Sequence, residues 1–373
     1  MDGYNTFFLK SHLRLCSIVL ILTTLWGCSA GSSSNSSASA NTSLSTPVNA
    51  YTGPGSKWDV TLAADDTFEI VMRETIESQP SLQISGNYTR LNNGFLDMIV
   101  TEASGENAPE PEQRAWALDV PGFAMFLRAD DRDDGSFVAM VESGGCPSNS
   151  ITSNWVVVSS DNQTDATETD RDFFGTFTYN TTNGEAQLPS RYALANFEST
   201  GPGELLATAN CDNGIIQVDD ALLYLSASSV GLVHTNIDSA EDGHIIFALP
   251  SESINAVDVF DGTHSSLLFN QAPLANDVSV SPGILTCSAG LCSGTLWDNP
   301  NDESPTHNVV VRLTGSLNFP ELGMMTGEIE INNGVGNLAC TLSSSGPNLL
   351  TSCVGQSPQD NTKILNLIMV AQS

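Results

Sequence analysis

Positive charge is scarce in this 373-residue chain. Lysine and arginine together number 12, against 43 aspartates and glutamates, so the formal net charge is −31. Such a surface repels the phosphate backbone of nucleic acids and the headgroups of anionic lipids. The charge balance therefore excludes nucleic acid as a partner. Strong acidity keeps a protein soluble, and counter-ions screen its self-repulsion.

The chain also lacks the patterns of enzyme and metal sites. It has five histidines, none of which shows the spacing of a metal-binding motif such as H-E-x-x-H, and it has no glycine loop for a phosphate or a dinucleotide. We therefore assign no catalytic residue, no cofactor and no metal. Four histidines follow the amino-terminal region, and we interpret them as residues of surface loops: His234, His244, His264 and His307.

Two acidic stretches invite comparison with calcium-binding loops. In residues 130–135, aligning Gly135 with the invariant glycine of an EF-hand puts Arg132 at a ligand position and Val141 at the bidentate one, so that interpretation fails. An irregular calcium site there, or in residues 161–172, stays open beside the simpler interpretation as solvated charged loops.

Long apolar runs are absent except near the amino terminus. Residues 15–26 form an apolar run that is shorter than the roughly 20 residues of a membrane-spanning helix. Lys10, His12 and Arg14 precede the run, and small residues follow it. This order of basic, apolar and small residues is typical of a secretory signal peptide.

The sequence LWGC at the end of this run resembles the lipobox of bacterial lipoproteins. Leu25, Gly27 and Cys28 match the pattern, while Trp26 fills a slot that is usually small or aliphatic. The resemblance implies removal of residues 1–27 as a signal peptide. It also implies a diacylglyceryl thioether on Cys28 and an acyl chain on its new amino group. Three acyl chains suffice for stable anchoring at ~0.8 kcal/mol per buried methylene.

Ser29 follows the cysteine, which by resemblance to lipoprotein sorting implies the outer rather than the inner membrane of a bacterial cell envelope. Residues 28–50 are rich in serine and have little to bury, so we predict a flexible tether. Ser29 also matches G-x-S-x-G, but a nucleophile elbow needs a strand before the serine and a helix after it. We reject that match.

Of the eight cysteines, Cys16 leaves with the signal peptide and Cys28 takes the lipid. The remaining six form an even set in an exported chain, which favours disulfides over zinc or thiol chemistry because no histidine lies beside them. Six cysteines allow 15 pairings. Symmetry about the turns at Ala289–Gly290 and Gly346–Pro347 favours two pairs, which leaves a third: Cys287–Cys292, Cys340–Cys353 and Cys146–Cys211.

Alternation of apolar and polar residues continues through nearly the whole mature chain and predicts an all-β fold. Helix signals are scarce, and residues 162–172 have no apolar stripe, so we expect a loop there. Many short strands with regular turns indicate antiparallel meanders that form β-barrels or β-sandwiches. The turn signals are Asp65–Asp66, Asn93–Gly94, Asn183–Gly184, Asn213–Gly214, Asp242–Gly243, Asp261–Gly262 and Asn333–Gly334.

A glycine-containing phrase recurs in the predicted strands as SGNYTR, FGTFTY, SGTLWD, TGSLNF and TGEIEI. A glycine at a fixed place in a strand predicts a bend or a bulge where a sheet curls. Trp58 and Trp155 each precede one of these strands, which suggests two related β units. We expect them to cover residues 51–143 and 144–373.

The tryptophan near the start of the meander resembles that of lipocalin-type barrels, whose first strand carries G-x-W; here Gly55 and Trp58 are one residue further apart. The chain has a similar likeness to the barrels of surface lipoproteins that bind host proteins. These resemblances imply a binding barrel and assign no residue roles. We expect a lipid-anchored envelope protein that binds an unknown protein or small ligand, or serves structurally, without catalysis. The alternatives are a carrier of a small apolar ligand and a secreted hydrolase on a β scaffold.

Overall fold

The computed structural model describes twelve segments of the chain and confirms the all-β prediction, with 24 strands and one short 3-10 helix at Val257–Phe260. The described segments are 47–53, 58–73, 79–105, 108–129, 137–159, 165–218, 221–234, 245–251, 257–270, 280–314, 323–345 and 348–372. Among these residues, no helix has the length and apolar character needed to cross a membrane. All the strand pairs are antiparallel, and they form three eight-stranded sheets.

The first sheet is an up-and-down meander that closes into a barrel because its first strand pairs with its eighth. Its inward side chains alternate with outward ones, as in Trp58, Val60 and Leu62 of the second strand. The strands are β1 (Pro47–Gly53), β2 (Trp58–Ala63), β3 (Thr67–Arg73), β4 (Pro80–Arg90), β5 (Phe95–Gly105), β6 (Arg114–Val120), β7 (Ala124–Ala129) and β8 (Phe137–Glu142).

The middle sheet repeats the meander but is open. Its first strand pairs with its last, as in a closed barrel, while its fourth and fifth strands have no ladder between them in the described part of the chain. We call the two unpaired edges the β12–β13 seam. The strands are β9 (Ile151–Ser159), β10 (Phe174–Asn180), β11 (Glu185–Tyr192), β12 (Glu204–Thr208), β13 (Ile215–Val218), β14 (Ala221–Leu225), β15 (Gly231–His234) and β16 (Ile245–Pro250).

The third sheet is again a closed barrel, in which the first strand pairs with the last along seven residue pairs. The 3-10 helix immediately precedes its first strand. The strands are β17 (Gly262–Asn270), β18 (Val280–Ser288), β19 (Leu291–Leu296), β20 (His307–Thr314), β21 (Met324–Ile331), β22 (Gly334–Ser345), β23 (Asn348–Gln356) and β24 (Ile364–Ala371).

One apolar core joins the three sheets. It contains outward residues of the first barrel, most of the middle sheet and outward residues of the second barrel, for example Phe126, Phe247 and Ile368. Phe126 and Phe247 meet edge to face with ring centroids 5.7 Å apart. The buried Asn366 side chain donates hydrogen bonds to the carbonyl oxygens of Val157 and Cys353, at 2.6 and 3.1 Å. The middle sheet is therefore packed against both barrels.

The recurrent strand glycines lie where a neighbouring backbone approaches closely. A Cβ on Gly86 would lie 2.1 Å from the Ile99 oxygen, and one on Gly175 would lie 2.0 Å from the Ser190 oxygen. The register shifts between Ser85 and Gly86, so Gly86 marks a bulge as predicted, whereas near Gly175 the shift lies further along the strand, between Thr176 and Thr178. Gly294 and Gly327 have the same close approach without a register shift. Residue 315, in the TGSLNF phrase, lies outside the described residues.

Several described turns follow the sequence signals, and one is displaced. Residues 242–243 lie outside the described residues, and Asp261–Gly262 joins the 3-10 helix to β17, with Gly262 already in the strand. Ala289 and Gly290 have φ of 50° and 80°, and Asn213 and Gly214 have φ of 51° and 82°. These pairs of positive φ are typical of type I′ hairpin turns. The turn expected at Asn333–Gly334 instead has Asn332 and Asn333 at its centre, with φ of 50° and 69°, and Gly334 opens β22. Asparagine tolerates the left-handed region, so both centres are possible on sequence grounds.

Candidate functional site

The lumens of both closed barrels are filled with side chains. In the first barrel, large inward residues such as Trp58, Phe68 and Met98 form a separate buried core. In the second barrel, inward leucines, isoleucines and two disulfides form another. Eight-stranded barrels are narrow enough for side chains to fill them.

The first barrel encloses one buried carboxylate. The Asp119 side chain has no exposure to solvent, accepts a short hydrogen bond from the Tyr51 hydroxyl and pairs with the Arg90 guanidinium at 2.6 Å. Burial, and next the charge of Asp119, raise the pKa of the Tyr51 phenol well above its ordinary value, so the hydroxyl stays a donor. The trio satisfies a buried charge and is structural.

The second barrel encloses His264, which corrects the expectation of a surface histidine. Its side chain is buried, and its Nε2 lies 2.8 Å from the carbonyl oxygen of Phe260 in the 3-10 helix. Its Nδ1 is buried without a hydrogen-bond partner. Burial lowers the pKa of His264, and the hydrogen bond to the Phe260 carbonyl opposes this shift only in part. His307 is also buried, with Nδ1 3.0 Å from the side-chain nitrogen of Asn332.

No described arrangement of side chains matches a hydrolase or a metal centre. The imidazole hydrogen bonds of His264 and His307 go to the Phe260 carbonyl and the Asn332 side chain, and not to a serine hydroxyl. Ser266 donates to the backbone carbonyl of His264, and Ser265 donates to the Asn93 carbonyl. Within the described segments, no three histidine, cysteine or acidic side chains lie close enough together to hold a metal ion. His234 and His244 have side chains outside the described part of the chain.

The acidic stretch at 165–172 uses its carboxylates within the chain. Asp165 accepts hydrogen bonds from the backbone and hydroxyl of Thr167, and these lower its pKa. Glu168 pairs with Arg171, and Asp172 pairs with Arg191 at 2.7 Å. The segment is a loop, as predicted, and the carboxylates of Asp165, Glu168 and Asp172 have protein partners. The other calcium candidate, residues 130–135, lies outside the described residues, as do 161–164.

The six candidate disulfide cysteines form the three pairs that the spacing favours. Two bridges lie inside the second barrel between directly paired residues, Cys287–Cys292 and Cys340–Cys353. The third, Cys146–Cys211, is half-exposed and ties the segment before β9 to the connection between β12 and β13. Cys28, the predicted lipidation site, lies outside the described residues.

The β12–β13 seam has the features of an accessible edge. In β12, Glu204, Leu205 and Thr208 are exposed, and Leu205 is 56% exposed, the highest value among the large apolar side chains described. The residues between Thr208 and Ile215 connect the two edges and carry the Cys146–Cys211 bridge. An unpaired strand edge presents free backbone N–H and C=O groups to any further strand.

A small pocket opens where this connection crosses the end of the middle sheet. It has a volume of about 260 Å³ and is lined by Cys146, Pro147, Tyr179, Thr181, Asn210 and Cys211. The Cys211 backbone N–H donates a hydrogen bond to the Tyr179 hydroxyl at 3.0 Å, which fixes the ring beside the disulfide. The pocket is polar at its rim and directly follows the carboxyl end of β12.

The described cations are engaged within the molecule. Six arginines pair with carboxylates, and Arg128 donates to the Val280 carbonyl and lies over the Trp116 ring. Near the seam, Arg191 is shared between Asp172 and Glu204 and also donates to the Pro202 carbonyl. Glu204 lies on β12, Glu185 pairs with Thr208 of β12 from the neighbouring strand, and Asp212 lies in the connection to β13, so the seam is acidic.

Sequence reasoning missed this seam. The signal that could have found it is the run STGPGE before β12, because proline and glycine next to a short strand mark an edge. Pro189 carries no such signal, because β11 is paired on both sides and this proline lies at the register shift against β10. The buried trio of Tyr51, Asp119 and Arg90 has no sequence signal, since its members are 29 to 68 residues apart.

The chain matches no protein-family model and no curated protein. It is similar to solved structures of transferrin binding protein B. These are a double mutant from Haemophilus parasuis Hp5 (12% identity, TM-score 0.27), isotype 1 from serogroup B Neisseria meningitidis (9%, 0.27) and the intact Ap-TbpB with its N and C lobes (10%, 0.26). The alignments cover 88%, 85% and 88% of this chain and 66%, 65% and 67% of those. At these values the comparison assigns neither a family nor a function.

Proposed function

We propose that this protein is a lipid-anchored component of a bacterial cell envelope that binds a partner protein through its outer surface, without catalysis. The observation that carries the proposal is the filling of both closed barrels by side chains. A filled lumen leaves no room for a small apolar ligand, so the carrier alternative has no support from the described residues. Binding at the surface of a rigid, disulfide-linked β body is the role that this architecture supports best.

The anchor rests on the LWGC sequence and on the serine-rich segment behind it. Cells that express the full chain are grown with labelled palmitate. We expect label in the protein, loss of label in Cys28→Ala, and retention of label in Cys16→Ala, which tests a cysteine inside the predicted signal peptide. Equal labelling of the Cys28→Ala variant would refute the anchor.

The binding role is tested by capture of the full lipidated chain from envelope fractions in mild detergent. We expect a defined protein to co-purify in a fixed ratio and to persist after lipid-soluble material has been extracted. Recovery of a small apolar molecule in a one-to-one ratio, with no protein, would contradict the proposal and restore the carrier alternative.

A further inference from the structure

The middle sheet differs from the two barrels in one respect, the missing ladder between β12 and β13. In all three sheets the first and last strands pair, so closure at that position is complete in the middle sheet too. The opening is therefore confined to the seam. A further strand added there would pair with an edge that the two closed barrels do not have.

The chemistry of the edge limits what can occupy it. A second copy of this chain would bring a second Glu204 to the same strand pair, and like charges between paired strands are destabilising. The cation at the seam, Arg191, is already bound to Asp172 and Glu204. An occupant with lysine or arginine side chains would instead meet the carboxylates of Glu204 on β12 and of Asp212 in the connection that follows it.

The shape of the edge limits the length of the occupant. β12 has five residues and a register shift against β11, where Ala186 pairs with Ala207 and Gln187 pairs with Leu205. Such a bulge shortens the regular part of the edge, so a short segment fits better than a long strand. Leu205 lies on this edge with its side chain exposed, and it offers apolar contact to one side chain of the added strand.

We infer that the β12–β13 seam is the docking site for a short, extended segment of the partner protein that carries lysine or arginine residues and adds as an antiparallel strand beside β12. The inference rests on the proposed function. An antiparallel segment would begin near Thr208, beside the pocket lined by Tyr179, Thr181 and Asn210. That pocket then accepts a side chain from the amino-terminal end of the segment.

The test uses the full lipidated chain in detergent micelles and a fluorescent synthetic peptide of about eight alternating lysine and valine residues, a length that suits a single strand. A peptide of alternating glutamate and valine, and one of alternating lysine and proline, are the controls for charge and for backbone hydrogen bonding. We expect the lysine–valine peptide alone to bind, and its binding to weaken as salt is added.

Two protein variants locate the binding. Leu205→Lys places a cation on the seam, whereas Leu291→Lys makes the same change at another exposed leucine, on a strand that is paired on both sides. We expect Leu205→Lys to weaken the lysine–valine peptide about tenfold, through charge repulsion and lost apolar contact, and Leu291→Lys to leave its affinity nearly unchanged. Bound peptide should also slow hydrogen exchange in β12.

The inference is overturned if the lysine–valine peptide does not bind, if either control peptide binds equally, or if both variants respond alike. Its failure is distinct from that of the proposed function. If the partner captured from envelopes still binds the Leu205→Lys variant with full affinity, the chain is a binding protein whose site lies elsewhere. If no partner is captured and the lysine–valine peptide binds, the seam accepts an added strand but the proposed binding of a partner protein is wrong.

Discussion

The Asp119 carboxylate lies inside the first barrel without access to water, and two side chains compensate its charge. One of them, Tyr51, donates its only hydroxyl proton to this carboxylate, while the other, Arg90, is about half exposed at the barrel end. When a buried charge loses one hydrogen bond, part of its desolvation cost is no longer compensated, and the folded state becomes less stable. Removal of the Tyr51 hydroxyl oxygen alone should therefore lower the stability of the first barrel.

We expect Tyr51→Phe to lower the free energy of unfolding by about 1–3 kcal/mol, because one carboxylate oxygen loses its donor. Tyr88→Phe is the matched control, since the Tyr88 hydroxyl donates to a backbone oxygen, that of Ala63, near a half-buried ring. Urea unfolding measures both variants. An equal or larger loss in Tyr88→Phe would show that the buried carboxylate does not depend on Tyr51.

His264 makes the second barrel sensitive to acid. Burial lowers its pKa in the folded protein below the ordinary value of 6.5, so between those two pH values the unfolded chain binds the proton more tightly. The contribution of neutral His264 to the free energy of unfolding is fully present above about pH 6.5. It is lost as the pH falls through the pKa of His264 in the folded protein. In His264→Gln we expect a smaller fall in unfolding free energy between pH 7.5 and pH 5 than in the parent chain.

The control for this measurement is His307→Gln, which changes the other described histidine of the second barrel while His264 stays in place. It should keep the pH dependence of the parent. If the two variants behave alike, the acid sensitivity does not come from His264.

At the scale of elements, strand glycines hold neighbouring strands close. A Cβ on Gly175 would lie 2.0 Å from the Ser190 oxygen, and backbone cannot move away as a flexible side chain can. We expect Gly175→Ala to destabilise the protein by about 1–3 kcal/mol, the usual cost of overpacking. At Gly144, where nothing lies within 4 Å of the new methyl group, the same change should have little effect on the melting temperature. Similar losses of stability in Gly175→Ala and Gly144→Ala would exclude the close approach of the neighbouring backbone as the cause.

The three disulfides differ in access to solvent. The four cysteines inside the second barrel are at most 3% exposed, whereas Cys146 and Cys211 are half-exposed. Since thiol–disulfide exchange needs the attacking thiolate to reach a sulfur atom, we expect a mild reductant to open Cys146–Cys211 first in the folded protein. Alkylation followed by peptide mass spectrometry identifies the order. Early labelling of Cys340 or Cys353 would contradict it.

Elements were more predictable than their assembly. Period-two alternation and asparagine–glycine pairs identify strands and turns because both are local, and the cysteine pairs follow from symmetry about local turns. The turn at Asn332–Asn333 shows the limit of such local prediction. Asn332, Asn333 and Gly334 can all adopt positive φ, so the sequence does not decide which two form the centre of the turn. Which strands close a barrel depends on residue pairs that are distant in sequence, such as Tyr51 with Glu142 and His264 with Ala371, and these leave no mark in a single sequence.

At the scale of the whole molecule, three eight-stranded meanders share one topology and one core. We propose that residues 51–143 and 144–373 are its two folding units. In support, the first barrel has an inner core of its own, whereas the middle sheet has its apolar residues in the shared core. The connection from Glu142 to Ile151 joins them.

The central claim is that this acidic, lipid-anchored body binds a partner protein by its outer surface. Zero-length coupling of carboxylates to lysines, applied to intact envelopes that carry the full chain, tests it most directly, because the chain supplies carboxylates in large excess over lysines. We predict cross-links from a partner's lysines to surface carboxylates, with Glu204 and Asp212 of the seam among them. An envelope in which this chain couples to no other protein would contradict the account.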